Sequence, residues 1–598
     1  MTALPARARF TRSGQGKART VGVAAVVLVV ALMVRAWVAV SGNFYWDDLI
    51  LVGRAGNFPL FSTDLLLYDH DGHFMPAAFV LAKAVTAIAP YDWTPAVVTL
   101  VLLQALAALA VFRLLRLLIG YRPILLAPLI FYLFSPLTLP SYSWWAAGLN
   151  SLPLQIGLAW VAGDAILLCR TGKRRYAVSG FAVFVIALLF FEKSVLVPFV
   201  AFGVVAAMYH VDAQANPLRR AWRGAKLLWL WSAGVTACWL VVYLVVVDQP
   251  FTVDGASKAV HLIERGLSRG LLPTLIGGPW GWERWQPSPP WADPSVLMIV
   301  LGWVCLLLAV GGVLVRKQRI GPVLLAVAAY VMASEVAMVL TRSGPDTSEI
   351  LAQTLRYVDD SAVVIAVVAA LIVRALDRVR AHRSHRVAVM ALAVAFLAGS
   401  LWSTATYVRS WRDNPTADYL ATARTSLAEH SDVPMLDMEI PNDLLLPVVY
   451  PNNLASQVFS ALSDRPEFTT STSTLRSMDN RGNVVDADVS PTRAITQGPI
   501  PQCGYRIEGS TVAMLPLDGP LAGWQWTAQI NYSASKDGEL VLGLPDGDEV
   551  RVPVQRGLHQ VFVRVAGSGT FLRAYPATPG LSICIGAGPV GGVLPELG

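Results

Sequence analysis

The chain has 598 residues, of which 55% are hydrophobic and only 15% charged, and its mean hydropathy is +0.53. Soluble globular chains carry about 25% charged residues, so this deficit excludes a cytosolic enzyme, a disordered scaffold and a nucleic-acid-binding protein. The formal charge of +7 fits a polytopic α-helical membrane protein, in which Lys and Arg gather in cytoplasmic loops.

At the N-terminus, Arg7, Arg9, Arg12, Lys17 and Arg19 precede an apolar run that begins at Val21. The run is about 20 residues long and no small-residue cleavage site follows it, so it reads as a retained first helix rather than a signal peptide. Further runs of spanning length follow at 96–112, 123–140, 151–169, 176–191, 194–210, 227–248, 292–315, 320–341, 359–373 and 387–408. With 21–40 these make eleven. The segments assigned to the inner side hold 24 Lys/Arg in 69 residues, those assigned to the outer side 9 in 126. That asymmetry places the protein in the plasma membrane with its N-terminus in the cytoplasm and its C-terminal region outside. The short apolar stretch 76–90 contains Lys83 and reads as an interfacial helix inside a long first outer loop, 41–95.

Residues 1–408 thus form the membrane domain. Residues 409–502 read as a mixed α/β connecting region. From 503 to 598 the chain is strand-like: ELVLGLP, EVRVPVQ, HQVFVRV and TFLRAYP alternate with Gly, Asp-Gly and Pro, as in a β-sandwich or jelly roll. Cys503 and Cys584 bracket that region and would pair as a disulfide in an oxidising compartment. The other cysteines, Cys169, Cys238 and Cys305, lie in apolar runs, and no Cys/His spacing suggests zinc.

The chemistry concentrates in the first outer loop, which holds six Asp against two Lys/Arg. Asp47 and Asp48 follow the first helix by a few residues. They either cap a loop helix or supply a general base, its pKa raised by desolvation at the membrane boundary. Asp69, His70, Asp71 and His73 lie farther along the loop. Carboxylates with imidazole suit Mg²⁺ or Mn²⁺, so Asp69 and Asp71 are candidate ligands of a divalent metal, the one cofactor the sequence suggests without fixing it. Glu192 and Lys193 stand at a turn between two apolar arms, as a structural ion pair or as a phosphate-holding lysine. Arg356, beside Tyr357, would bind phosphate or pair with Asp359 and Asp360. Trp144 and Trp145 read as an interfacial aromatic belt or as sugar-stacking platforms.

Taken in order, these elements resemble the GT-C superfamily of membrane glycosyltransferases, which use polyprenyl-phosphate sugars. The carboxylate pair opens the first outer loop. GHFMP at 72–76 resembles that family's His-Phe-Arg-Pro element, with Met75 in the Arg position. FEKS at 191–194 and LRY at 355–357 resemble its Lys/Glu turn and late Arg-Tyr element. The β-rich tail is similar to those of actinobacterial cell-wall arabinofuranosyl- and mannosyltransferases. The resemblance implies that Asp47 or Asp48 is the catalytic base, that the donor is a polyprenyl-phosphate-linked sugar, that the acceptor is a cell-envelope glycan or lipid, and that the C-terminal domain binds carbohydrate. Lys193, Arg356 and His73 would then face the donor. A transporter or flippase of lipid-linked glycans, and a catalytically silent cell-envelope assembly protein, are the alternatives.

Overall fold

A computed structural model describes residues 7–248, 255–315, 319–344, 347–376, 383–509 and 511–596. The basic stretches expected at 316–319 and 374–386 lie partly outside these. The chain divides into two compact units, Met1–Leu51 with Phe58–Asn414 and Val52–Asn57 with Pro415–Gly598.

The first unit is helical. Among the described residues nine helices are long and apolar enough to cross a membrane. Two more of the expected runs form shorter apolar helices, Arg175–Phe190 and Ser361–Leu376, so every expected run falls on a helix. The stretch 76–90 gives Pro76–Ile88, which at 13 residues is too short to span. Helix ends follow local chemistry. Trp145–Thr171 stops at Gly172, whose φ of +67° suits a residue without Cβ. Pro123–Ser143 runs as four short pieces, three of which carry a proline, Pro123, Pro136 or Pro140, in their first turn, where a missing N–H costs no ladder bond. Leu244, Val245, Leu307 and Leu308 are exposed on their helices, an apolar surface suited to lipid rather than water.

The second unit carries the strands. Six strands run in the order Val550–Val554, Gly538–Gly543, Gly557–Pro576, Ala513–Ala534, Ser582–Ile585 and Tyr505–Glu508, within a nine-stranded sheet. The two long central strands pair antiparallel along their lengths. Their inward residues, among them Leu515, Ile530, Val563, Val565 and Leu572, form the core. HQVFVRV and TFLRAYP, read from sequence as separate strands, are one strand of 20 residues. Gly567 and Gly569, at φ +121° and +145°, lie opposite the register shifts at Leu521 and Trp524. They let the strand bulge where a turn was expected. Strands also begin well before 503, at Phe468–Thr469 and Val484–Val489. Cys503 and Cys584 are joined as a disulfide.

Candidate active site

The first loop is organised by a two-residue hairpin. His70 and His73 exchange backbone hydrogen bonds at 3.1 and 3.0 Å. Between them Asp71 and Gly72 both have positive φ, +52° and +84°. This is the type I′ geometry that an Asp-Gly pair favours. Asp69 accepts the Gly72 N–H at 2.7 Å, and the Tyr243 hydroxyl donates to the Gly72 carbonyl at 3.0 Å. The hairpin therefore directs two imidazoles to separate partners. His70 Nε2 lies 3.6 Å from Asp47 Oδ1. His73 Nδ1 lies 2.8 Å from Glu192 Oε1. Burial alone would lower the His73 pKa, but the charge and hydrogen bond of Glu192 outweigh it and the pKa is raised.

Asp47 and Asp48 open helix Asp47–Asn57 and differ sharply in setting. Asp48 is fully buried. Its carboxylate accepts the Tyr45 N–H at 2.9 Å and the Ala146 N–H at 2.7 Å. It thereby joins its own helix start to the N-terminus of Trp145–Thr171, where a negative charge meets the helix dipole. Burial pushes the Asp48 carboxyl well up despite the backbone donors, and the neighbouring Asp47 charge adds to the rise. The Asp47 side chain is 27% exposed. Burial acts to raise its pKa too, but the neighbouring His70 imidazole, then the charges of Arg356 and His73, bring it below the usual carboxylate value. The raised pKa expected for a base at the membrane boundary is thus found at the buried Asp48, not at Asp47. Asp47 stands among cations, and their field outweighs desolvation.

The acid pair beside Arg356 is claimed by other groups. Lys193 Nζ donates to Asp360 Oδ1 at 2.7 Å and to the Tyr357 carbonyl at 2.8 Å. The Tyr330 hydroxyl holds the other Asp360 oxygen. Asp359 accepts from Ser141 at 2.8 Å, from Gln155 at 3.0 Å and from Ser151. Lys193 therefore serves as the counter-ion of a buried carboxylate. Its structural partner is Asp360, reached from 167 residues away, rather than the adjacent Glu192.

Arg356 forms no ion pair among the described residues. Its guanidinium lies 4.7 Å above the Trp144 ring and 4.9 Å above that of Tyr357, whose hydroxyl it contacts at 2.8 Å. The Trp144 ring also meets Tyr45 edge-on at 4.9 Å, and Tyr45 meets Trp411 at 5.2 Å. Arg284 closes this ladder over Tyr45 and Trp411, at 5.4 and 5.3 Å. The Trp144 face is thus covered by cation and tyrosine. Trp145 is fully buried with its indole N–H on Thr99 at 3.0 Å. Neither ring offers a sugar platform, and Trp145 is part of the core.

Asp69 and Asp71 do not present a metal's donor set. Asp69 is taken by the backbone N–H groups of Gly72 and Asp248, at 2.7 and 3.2 Å. Asp71 pairs with Arg342. Among the described residues no three His, Cys, Asp or Glu side chains converge as ligands. Met75 is buried and precedes helix Pro76–Ile88. Arg342 and Arg284 were not singled out in the sequence. The signal for Arg284 was its setting in the aromatic run GPWGWERWQPSPPW, 278–291; Arg342 has none beyond its place at the end of an apolar run.

No family description and no curated protein matches the chain. Among solved structures it is similar to ArnT from Cupriavidus metallidurans bound to undecaprenyl phosphate, at 14% identity and a TM-score of 0.42. That match covers 75% of this chain and 89% of the other. It is also similar to the arabinofuranosyltransferase AftD from Mycobacteria, at 12% identity and a TM-score of 0.38. There it covers 96% of this chain and spans 62% of the other's length. Likeness at this level settles no chemistry, which has to be argued from the site.

Proposed function

We propose that the membrane unit transfers a sugar from a polyprenyl-phosphate donor to a hydroxyl of a cell-envelope glycan or lipid, on the outer face of the membrane. The observation that carries this reading is the setting of Asp47. It is a partly exposed carboxylate at the start of helix Asp47–Asn57, held below the usual carboxylate pKa by the neighbouring His70 and the charge of Arg356. In the reaction the acceptor oxygen forms a bond to the anomeric carbon and gives its proton to Asp47. The bond from that carbon to the phosphate oxygen breaks, with inversion, and polyprenyl phosphate leaves as an anion. Arg356, without a carboxylate partner among the described residues and held flat by Trp144, is the cation for that phosphate. Phosphate binding there would offset the positive field at Asp47, raising its basicity when the donor is in place. Asp48 fixes the position of Asp47 from beneath. No step is assigned to a metal.

The transporter reading has one observation in its favour. Glu335, on Gly321–Arg342, is buried with both carboxyl oxygens lacking a hydrogen-bond partner, and unpaired acids in spans often belong to proton or substrate paths. Asp164, buried within Trp145–Thr171, is by contrast paired through one oxygen with Arg113.

The test is transfer by the purified protein from a panel of polyprenyl-phosphate sugars. Asp47→Asn is expected to lower the rate by roughly 10²–10⁴, the usual contribution of a general base, with the protein still folded. An Asp47→Asn variant as fast as wild type would overturn the assignment. Absence of transfer from every donor, with labelled lipid-linked glycan crossing proteoliposomes in a Glu335-dependent way, would favour the transporter.

A further inference from the structure

The feature that the transfer reading leaves unused lies at the other end of the helices. Trp145–Thr171 begins beside Asp48 and runs for 27 residues, about 40 Å at 1.5 Å per residue. Near its far end Gly224 packs a bare Cα against Cys169. Gly224 ends a short helix, Pro217–Gly224, that lies between the apolar helices Val197–Val211 and Lys226–Val246.

This helix has three faces. Ala221 is buried against the unit, and its carbonyl accepts the Trp229 indole N–H at 3.1 Å. Leu218 and Trp222 are 63% and 45% exposed. One turn apart, they form a single apolar stripe. Arg219 and Arg223 form a second exposed stripe beside it, continued by Lys226. Asp212, the one acid in residues 211–226, is neutralised by Arg374, which grips both its oxygens at 2.7 Å. Cations are therefore in excess here, next to an exposed Trp and Leu, on a segment that cannot leave the membrane surface because apolar helices flank it on both sides.

We propose that helix Pro217–Gly224 is an anchor for anionic phospholipid: Leu218 and Trp222 enter the acyl region, and Arg219, Arg223 and Lys226 hold phosphate headgroups. An amphipathic helix lying in the interface does this when apolar and basic stripes adjoin. Because the helix packs on the far end of Trp145–Thr171, a lipid bound there steadies the same helix whose N-terminus donates the Ala146 N–H to Asp48. This inference does not depend on the transfer reading.

The experiment uses full-length protein in micelles doped equally with phosphatidylglycerol and phosphatidylcholine of matched chains, with retained lipid counted by native mass spectrometry. Wild type is expected to retain phosphatidylglycerol in excess. Arg219→Gln/Arg223→Gln should lower that preference by about fivefold for each cation removed, while Arg219→Lys/Arg223→Lys should keep it. Leu218→Ala/Trp222→Ala should loosen both lipids. A wild type that retains the two lipids equally, a Gln variant with an unchanged ratio, or displacement of the lipid by excess inorganic phosphate would each overturn the proposal. The Lys variant shows whether any loss comes from misfolding.

Discussion

Replacing Lys193 by Met separates two roles that the sequence left open. The Lys193 side chain is 15% exposed and that of Asp360 is fully buried, with 2.7 Å between charged atoms. Removing one partner of a buried ion pair costs about 3–5 kcal/mol, because the other charge stays behind uncompensated. Asp360 keeps the Tyr330 hydroxyl, so the lower end, about 3 kcal/mol, applies, a loss of roughly a hundredfold in the folding equilibrium. Lys193→Met/Asp360→Leu removes both charges and should recover part of that loss, a coupling that a double-mutant cycle measures. The assay is unfolding by a denaturing detergent followed by circular dichroism, with undecaprenyl phosphate binding measured in parallel. Lys193→Met should unfold earlier than wild type, and the double variant should lie closer to wild type. A Lys193→Met protein as stable as wild type that had lost only its affinity for the lipid phosphate would refute the argument, and would return Lys193 to the donor site.

Asp48→Ala should destabilise the membrane unit, since it strands the buried N–H groups of Tyr45 and Ala146 at about 1–3 kcal/mol each; normal stability with lost transfer would instead make Asp48 a reacting group. Reducing Cys503–Cys584, whose partners are 81 residues apart, should cost the β-rich unit about 2–5 kcal/mol, seen as a lower thermal transition in reductant; equal transitions with and without reductant would contradict this.

Much of the membrane fold could be read in the sequence because hydropathy is local. A run such as 227–248 has to be helical in lipid whatever its neighbours do, since its backbone polar groups have no other partners. The Asp-Gly hairpin between His70 and His73 is just as local, yet in the sequence analysis those residues read as metal and donor candidates and not as a turn. What could not be read were pairings set by packing across long separations. Lys193 stands next to Glu192 in sequence, but the turn Glu192–Leu196 sends the two side chains apart, one to Asp360 and the other to His73. Arg356 stands three and four residues from Asp359 and Asp360, close enough to suggest an ion pair. Instead Leu355, at φ +62°, turns the chain there, and Arg356 lies on Trp144. Gly567 and Gly569 misled for a related reason: glycine marks a turn or a bulge equally well, and only the partner strand decides between them.

The two neighbouring aspartates show why an acidic pair at a membrane boundary cannot be assigned by residue type. On one helix turn, consecutive side chains point about 100° apart, so only one of Asp47 and Asp48 can face the interior. Asp48 does, and the two backbone donors that hold it also fix where the helix begins. That fixed start leaves Asp47 directed at the His70 hairpin and within the field of Arg356. The buried acid is therefore committed to structure, and the exposed one is oriented by it. Asp48 substitutions should accordingly impair transfer in proportion to the stability they remove, whereas Asp47 substitutions should impair it at constant stability. Transfer rate plotted against unfolding free energy for both series tests this: the Asp48 variants should fall along a line and the Asp47 variants well below it.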